Sequence, residues 1–179
     1  KSEEDVKQEP EYQQLDQEAT AAREEVDPEI KQIDARVKLA QARLDAITDT
    51  FQNQRGRLTV ISYNIETTNG SAKERWRRRA AEKRAEQVTV ELPSDDRKSV
   101  QKQRLNYAQL EALYDQLRDE KAKGLAEIAD KLKKPSELAK KRDEYLKNHL
   151  IGLGPTQIEG LKTKINNYDY SILGHQISV

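Results

Sequence analysis

The most distinctive cluster of reactive side chains in this sequence is a basic run around its single tryptophan, Trp76. On a helix, such a run presents cations to the phosphates of nucleic acid or anionic lipid, and tryptophan can anchor at a membrane interface. The alternative is that Trp76 closes a helix seam while the arginines are solvated or pair with acids of a neighbouring helix. The sequence contains no second basic strip that would reinforce this run as a nucleic-acid-binding surface. The cations are Lys73, Arg75, Arg77, Arg78, Arg79, Lys83 and Arg84.

Side chains suited to catalysis or metal binding are few. The sequence has two histidines, His149 and His175, and no cysteine, whereas a zinc site needs three or four protein ligands. Asp143 and Glu144 are adjacent, so on a helix they point to different sides. The motifs G-x-x-x-x-G-K and G-x-S-x-G are absent. We therefore predict no catalytic residue, no metal site and no bound cofactor, and we expect that the chain is not an enzyme.

The composition indicates a narrow helical assembly. Of 179 residues, 35% are apolar and 36% are charged, which is too little apolar surface for an ordinary globular core of this size. Residues 1–29 hold eleven acids and three bases although the net charge is zero, so the acidic start contrasts with the rest. No apolar run is long enough to span a membrane. The absence of methionine leads us to expect a processed chain or an excised fragment.

Two apolar seams organise the sequence. From Tyr12 to Ile65, apolar or small residues recur at alternating three- and four-residue spacings, which is the pattern of a coiled-coil helix that needs a partner. A similar seam runs from Tyr107 to Leu132. The first helix, of about 54 residues, would be roughly 80 Å long. The main seam residues are Leu15, Ile33, Val37, Leu44, Ile47, Phe51, Leu58, Ile61, Leu110, Leu117, Ile128 and Leu132.

Between the two seams, the pattern predicts a reversal and a β-hairpin. Asn69-Gly70 favours a turn, and Ser71 with Glu74 matches a helix capping box. An unbroken helix through Gln87 is the alternative. Alternation of polar and apolar residues over about 88–105 predicts a β-hairpin.

Other signals mark where helices start or break. Asn106 and Gln109 match a second capping box, at the start of the returning helix. Proline disrupts a helix interior and is favoured in a first turn, so Pro28 is expected to bend or restart the first helix and Pro135 to restart the returning one.

The predicted fold is all-α, a long antiparallel coiled-coil helical hairpin with a small β-hairpin insertion and a short C-terminal helical or irregular block. We assign residues 1–11 to a disordered acidic N terminus, 12–150 to the hairpin and 151–179 to a C-terminal block that docks on a partner or on its own hairpin. The oligomeric state stays open, because a long seam can pair within one chain or between chains in a homo-oligomer.

The C-terminal block carries a resemblance to a known family. Residues 148–153, 156–161 and 167–172 concentrate apolar and aromatic side chains that the hairpin lacks. Following a charged helical hairpin with an insertion at 88–105, this block resembles the spacer region of bacterial membrane-anchored, multihaem c-type cytochromes. The resemblance implies a coiled-coil arm between a membrane helix and haem domains, periplasmic placement and an indirect role in electron transfer. Since the sequence lacks C-x-x-C-H, no haem-binding residue is carried over, haem would belong to neighbouring domains, and His175 is only a candidate distal ligand.

Two functional hypotheses follow. The first is a non-catalytic spacer or scaffold arm that positions or oligomerises a larger protein, with other protein domains or subunits as its partners. Membrane contact would then require an anchor outside this sequence. The second is a helical-hairpin module that binds an anionic partner, nucleic acid or a lipid surface, through Arg75–Arg84.

Overall fold

The computed structural model describes residues 2–150 and the backbone of 171–172 and 175–176. The long helices pack together and a small antiparallel sheet is inserted between them in sequence, so the predicted all-α helical hairpin with a β-hairpin insertion is confirmed. The rest of the predicted C-terminal block, 151–179, lies outside the described residues. The elements are α1 (Glu3–Lys7), α2 (Pro10–Thr67), α3 (Gly70–Ala85), β1 (Val88–Pro93), β2 (Val100–Leu105), α4 (Tyr107–His149), β3 (Ser171–Ile172) and β4 (His175–Gln176).

The chain divides into two compact units, and α2 and α4 contribute to both. The first unit comprises Lys1–Ala35 and Gly124–Val179, and the second comprises Arg36–Lys123. Within the second unit, β1 and β2 pair in antiparallel register from Val88 opposite Leu105 to Pro93 opposite Val100.

The N terminus differs from the disorder predicted for residues 1–11. The Ser2 hydroxyl accepts a hydrogen bond from the Asp5 N–H, and the Asp5 carboxylate accepts one from the Ser2 N–H, so a reciprocal capping box starts α1. Val6 is fully buried in a cluster with Tyr12 and Leu146. This one apolar side chain gives an otherwise acidic segment a packing site, which the average composition of the segment does not reveal.

Neither long helix restarts at its internal proline. Helix α2 continues through Pro28 and α4 continues through Pro135, so the predicted restarts are wrong. Pro28 is exposed, and water can solvate the carbonyl that loses its helical N–H partner. Ile30, on the following turn, is buried. Pro135 is itself buried on the seam side of α4, so packing of the flanking turns offsets the lost hydrogen bond.

The core of the second unit joins the helices to the β-hairpin. Val90 and Leu92, alternate residues of β1, are buried against the helix seam while β2 stays largely exposed. One face of the two-stranded sheet therefore packs on the helices, and the other faces solvent. The buried residues of this core are Leu44, Ile47, Phe51, Val90, Leu92, Leu110 and Leu117.

The two predicted capping boxes have different outcomes. At the start of α4, the Asn106 side chain accepts a hydrogen bond from the Gln109 N–H at 3.0 Å, and the Gln109 side chain accepts one from the Asn106 N–H at 3.0 Å. This capping box is confirmed.

The Ser71 box is not formed, because α3 already begins at Gly70, whose φ of +63° suits glycine. The break at Thr68–Asn69 separates α2 from α3, and the alternative of one continuous helix through Gln87 is excluded.

Candidate functional site

The predicted seam residues lie along the buried sides of α2 and α4. Leu15 and Ile61 are half-buried, and the other ten are at most 7% exposed. In the first unit, a salt bridge of 2.5 Å between Glu29 and Lys131 flanks this interface. The buried members are Ile33, Val37, Leu44, Ile47, Phe51, Leu58, Leu110, Leu117, Ile128 and Leu132.

Aromatic contacts reinforce the seam in the second unit. The Phe51 ring on α2 lies 5.9 Å from the Tyr107 ring and 4.6 Å from the Tyr114 ring, both on α4. The guanidinium of Arg118 lies 5.7 Å from the Tyr114 ring centroid and covers this group. Because Tyr107 starts α4 immediately after the hairpin, these contacts define where the returning helix meets α2.

One arginine attaches the β-hairpin to α2. The Arg43 Nε donates a hydrogen bond to the Pro93 carbonyl at 3.0 Å, and its Nη2 contacts the Asp95 carboxylate at 2.8 Å. This contact is not indicated by the sequence pattern. Its partners are 50 and 52 residues from Arg43, so no local pattern could indicate it.

A partly buried ionic group lies in the first unit. The Arg142 guanidinium is 2.8 Å from the Asp16 carboxylate and 3.1 Å from that of Asp143, which is buried. The Tyr145 hydroxyl donates a hydrogen bond to the Glu9 carboxylate. This hydrogen bond, strengthened by the negative charge of Glu9, raises the pKa of Tyr145 to about 12. These groups join α4 to the N-terminal segment.

The same region contains His149, one of the two histidines. Its Nδ1 lies 2.7 Å from the Tyr145 carbonyl oxygen, and its ring stacks on the Tyr145 ring with centroids 3.9 Å apart. This is the geometry of a side chain that closes a helix end. Among the described residues, no group of three or more His, Cys, Asp or Glu side chains could hold a metal ion. His175 lies in β4, and its side chain is outside the described part of the chain.

The predicted anionic-partner residues lie on α3, in the second unit. Arg75, Arg77, Arg78, Arg79 and Arg84 are exposed, whereas Trp76 is half-buried. The Arg79 guanidinium lies 4.6 Å from the Trp76 ring centroid, so the ring is held between its helix and a cation. Arg77 pairs with Glu74 at 2.7 Å. No residue of α3 is fully buried.

The comparisons with known proteins add no relative. The chain matches no protein-family model, no curated protein and no solved structure. In the part of the chain that the structure describes, no helix is both long and apolar enough to cross a lipid bilayer.

Proposed function

We propose that this chain is a non-catalytic coiled-coil spacer or scaffold arm that positions or oligomerises a larger protein, a periplasmic c-type cytochrome involved in electron transfer. The observation that carries the proposal is that the apolar side chains of the long helices are buried along the predicted seam. Ten of the twelve predicted seam residues are buried, and the long helices α2 and α4, which carry them, pack together. The limited apolar surface of the chain therefore serves to fix helix length and register.

The inserted β-hairpin supports the same proposal. Val90 and Leu92 pack onto the helix pair, and Arg43 binds the end of β1 at Pro93. A β-hairpin held in this way stiffens the second unit, because bending the helices would separate apolar contacts and hydrogen bonds together. A rigid spacer needs such reinforcement, whereas a flexible tether does not.

The cytochrome assignment rests on the resemblance of the C-terminal block and is tested on the native protein. Antibodies against this chain should recover a polypeptide larger than 20.6 kDa, the mass of this sequence, from the periplasmic or membrane fraction. Peroxidase staining after denaturing electrophoresis should reveal covalently attached haem. A haem-free polypeptide, or recovery from the cytoplasmic fraction, would contradict the assignment.

The spacer architecture is tested on the isolated chain by light scattering, which gives the mass of the particle in solution. A monomer is expected if the helices pair within one chain. A dimer would show that copies of the chain associate, and the arm would then act by oligomerising its parent protein.

A further inference from the structure

The end of α2 and the start of α3 form a surface that the spacer proposal does not use. We call residues 60–79 the tip surface. It comprises the last two turns of α2, the break at Thr68–Asn69 and the first half of α3. After this segment the chain turns back toward α2, since Glu86 lies within electrostatic reach of Arg57 on α2.

Positive charge is concentrated in and beside the tip surface. Residues 55–85 contain nine basic and three acidic residues, and the whole second unit contains nineteen basic and thirteen acidic residues. The entire excess of six positive charges in this unit therefore arises from these 31 residues. For Arg75 and Arg78, both exposed, the described residues supply no ion-pair partner.

The exposed cations of α3 have a uniform chemical character. Every exposed base on this helix is an arginine, whereas Lys73 and Lys83 are half-buried. A guanidinium offers two parallel N–H donors to a phosphate, a geometry that a lysine ammonium does not provide. The surface therefore suits phosphate groups in particular among anions.

Two exposed apolar side chains belong to the same surface. Val60 is 60% exposed and Tyr63 is 65% exposed. With α2 ending at Thr67, they lie about 10 Å and 6 Å from the helix end, given the rise per residue. The first arginines of α3, Arg75 and Arg77, lie at distances from the break similar to those of Val60 and Tyr63. The tip thus combines cations with an aromatic and an aliphatic side chain, as at the headgroup boundary of a bilayer.

The same features disfavour a polynucleotide. Binding to single strands uses several exposed aromatic rings on which successive bases stack. Trp76 is half-buried and Arg79 covers its ring, so Tyr63 is the one exposed aromatic ring within residues 60–79. The last two turns of α2 carry no basic residue. An apolar Val60 and Tyr63 would therefore meet phosphates without compensation, whereas a bilayer offers both phosphates and an apolar boundary.

We propose that the tip surface docks on the phosphate headgroups of an anionic lipid bilayer, with the arginines of α3 binding phosphates and Tyr63 entering the interface. This interaction is independent of whether the chain serves as a spacer in a cytochrome. Basic side chains near a lipid surface each contribute about a fivefold gain in binding, so several together support measurable association.

The test uses co-sedimentation of the full chain with vesicles of phosphatidylglycerol and phosphatidylcholine in equal parts. Replacing Arg75, Arg77 and Arg78 by Gln should weaken binding about a hundredfold at low salt. The matched control replaces Lys133, Lys134 and Lys141, which are exposed on α4, by Gln. It removes the same charge, and Lys133 pairs with Asp130 three residues away much as Arg77 pairs with Glu74. The control should bind like the unmodified chain.

A second pair of variants tests the apolar contribution. Val60→Ala with Tyr63→Ala should weaken binding severalfold at both low and physiological salt, because apolar insertion is not screened by ions. Val100→Ala is the control, since Val100 is 57% exposed on β2, and it should have no effect. Circular dichroism should show unchanged helix content in all variants, because glutamine and alanine are good helix formers.

Several outcomes would overturn the proposal. They are absence of binding to the anionic vesicles at low salt, equal loss of binding in the arginine and lysine variants, and equal binding to vesicles of phosphatidylcholine alone. Binding to a mixed-sequence DNA duplex but not to vesicles would assign the tip surface to a nucleic acid instead.

Discussion

Replacing Leu117 by Asp tests the seam most directly. The Leu117 side chain is 2% exposed within the cluster that joins α2, β1 and α4. Truncating a buried leucine costs about 2–5 kcal/mol. A carboxyl group forced to stay protonated in this apolar site at pH 7 adds up to about 4 kcal/mol, from its ordinary pKa near 4. The sum is comparable with the total stability of a small domain.

The assay is urea denaturation followed by circular dichroism at 222 nm. We expect Leu117→Asp to lose at least about 5 kcal/mol of unfolding free energy and its cooperative transition at pH 7. Leu117→Asn isolates the charge. Burial raises the pKa of the new carboxyl in the folded state. The resulting loss of unfolding free energy is therefore present at neutral pH and disappears as the pH falls toward the pKa of this carboxyl in the unfolded chain. The Asp and Asn variants should therefore converge near pH 4.

The control is Ala112→Asp, on the exposed side of the same helix. It should cost less than about 1 kcal/mol, mainly through helix propensity. If Leu117→Asp is no less stable than this control, Leu117 is not in a dry interface, and the hairpin packing inferred for the second unit is refuted.

Three further substitutions probe the contacts that reinforce the fold. Arg43→Gln should cost about 1–2 kcal/mol, because the β-hairpin loses two hydrogen bonds, and hydrogen exchange should accelerate across residues 88–105. Arg142→Ala should cost about 1.5–3 kcal/mol in urea denaturation, because the buried Asp143 carboxylate loses its charged hydrogen-bond donor. Tyr145→Phe should reduce stability at pH 8. Since the raised pKa of Tyr145 stabilises the fold below pH 10, the difference from wild type should shrink as the pH rises toward 12 in urea denaturation.

Exposed neighbours provide the controls for these substitutions. Lys98→Gln in the turn of the β-hairpin, Lys141→Ala on α4 and Tyr63→Phe on α2 remove similar groups from exposed positions, and each should change stability by less than about 0.5 kcal/mol. A control that matched its partner variant would show that the contact contributes nothing specific. Unchanged hydrogen exchange across residues 88–105 in Arg43→Gln would show that Arg43 does not hold the β-hairpin on α2.

Periodic features of this fold were predictable from the sequence. The spacing from Tyr12 to Ile65 and the alternation over 88–105 each report which side of an element is buried, so they predicted the helix pairing and the β-hairpin. The capping box at Asn106 is similarly local, because both hydrogen bonds form within one helical turn.

Features that depend on distant partners could not be predicted. Helix α2 continues through Pro28 because packing of neighbouring turns outweighs a local preference. The burial of Asp143 depends on α4 facing the N-terminal segment, and adjacent Glu144 is exposed. Val6 is another example, since its burial depends on packing against Tyr12 and Leu146, which are distant from it in sequence or on another helix. The basic run at α3 is visible in the sequence, but the exposure of Tyr63 shortly before the break between α2 and α3 required the structure.

The attachment of the β-hairpin also has a mechanical consequence. Two helices with heptad seams can slide past one another by one repeat, about 10 Å, and still match apolar residues. In the second unit, such slippage would strip Val90 and Leu92 from their sites on the seam and pull Arg43 away from Pro93. Only one alignment of the helices satisfies the hairpin. Under tension along the helices, this unit should therefore resist gradual slippage of one helix past the other and should unfold in a single cooperative step.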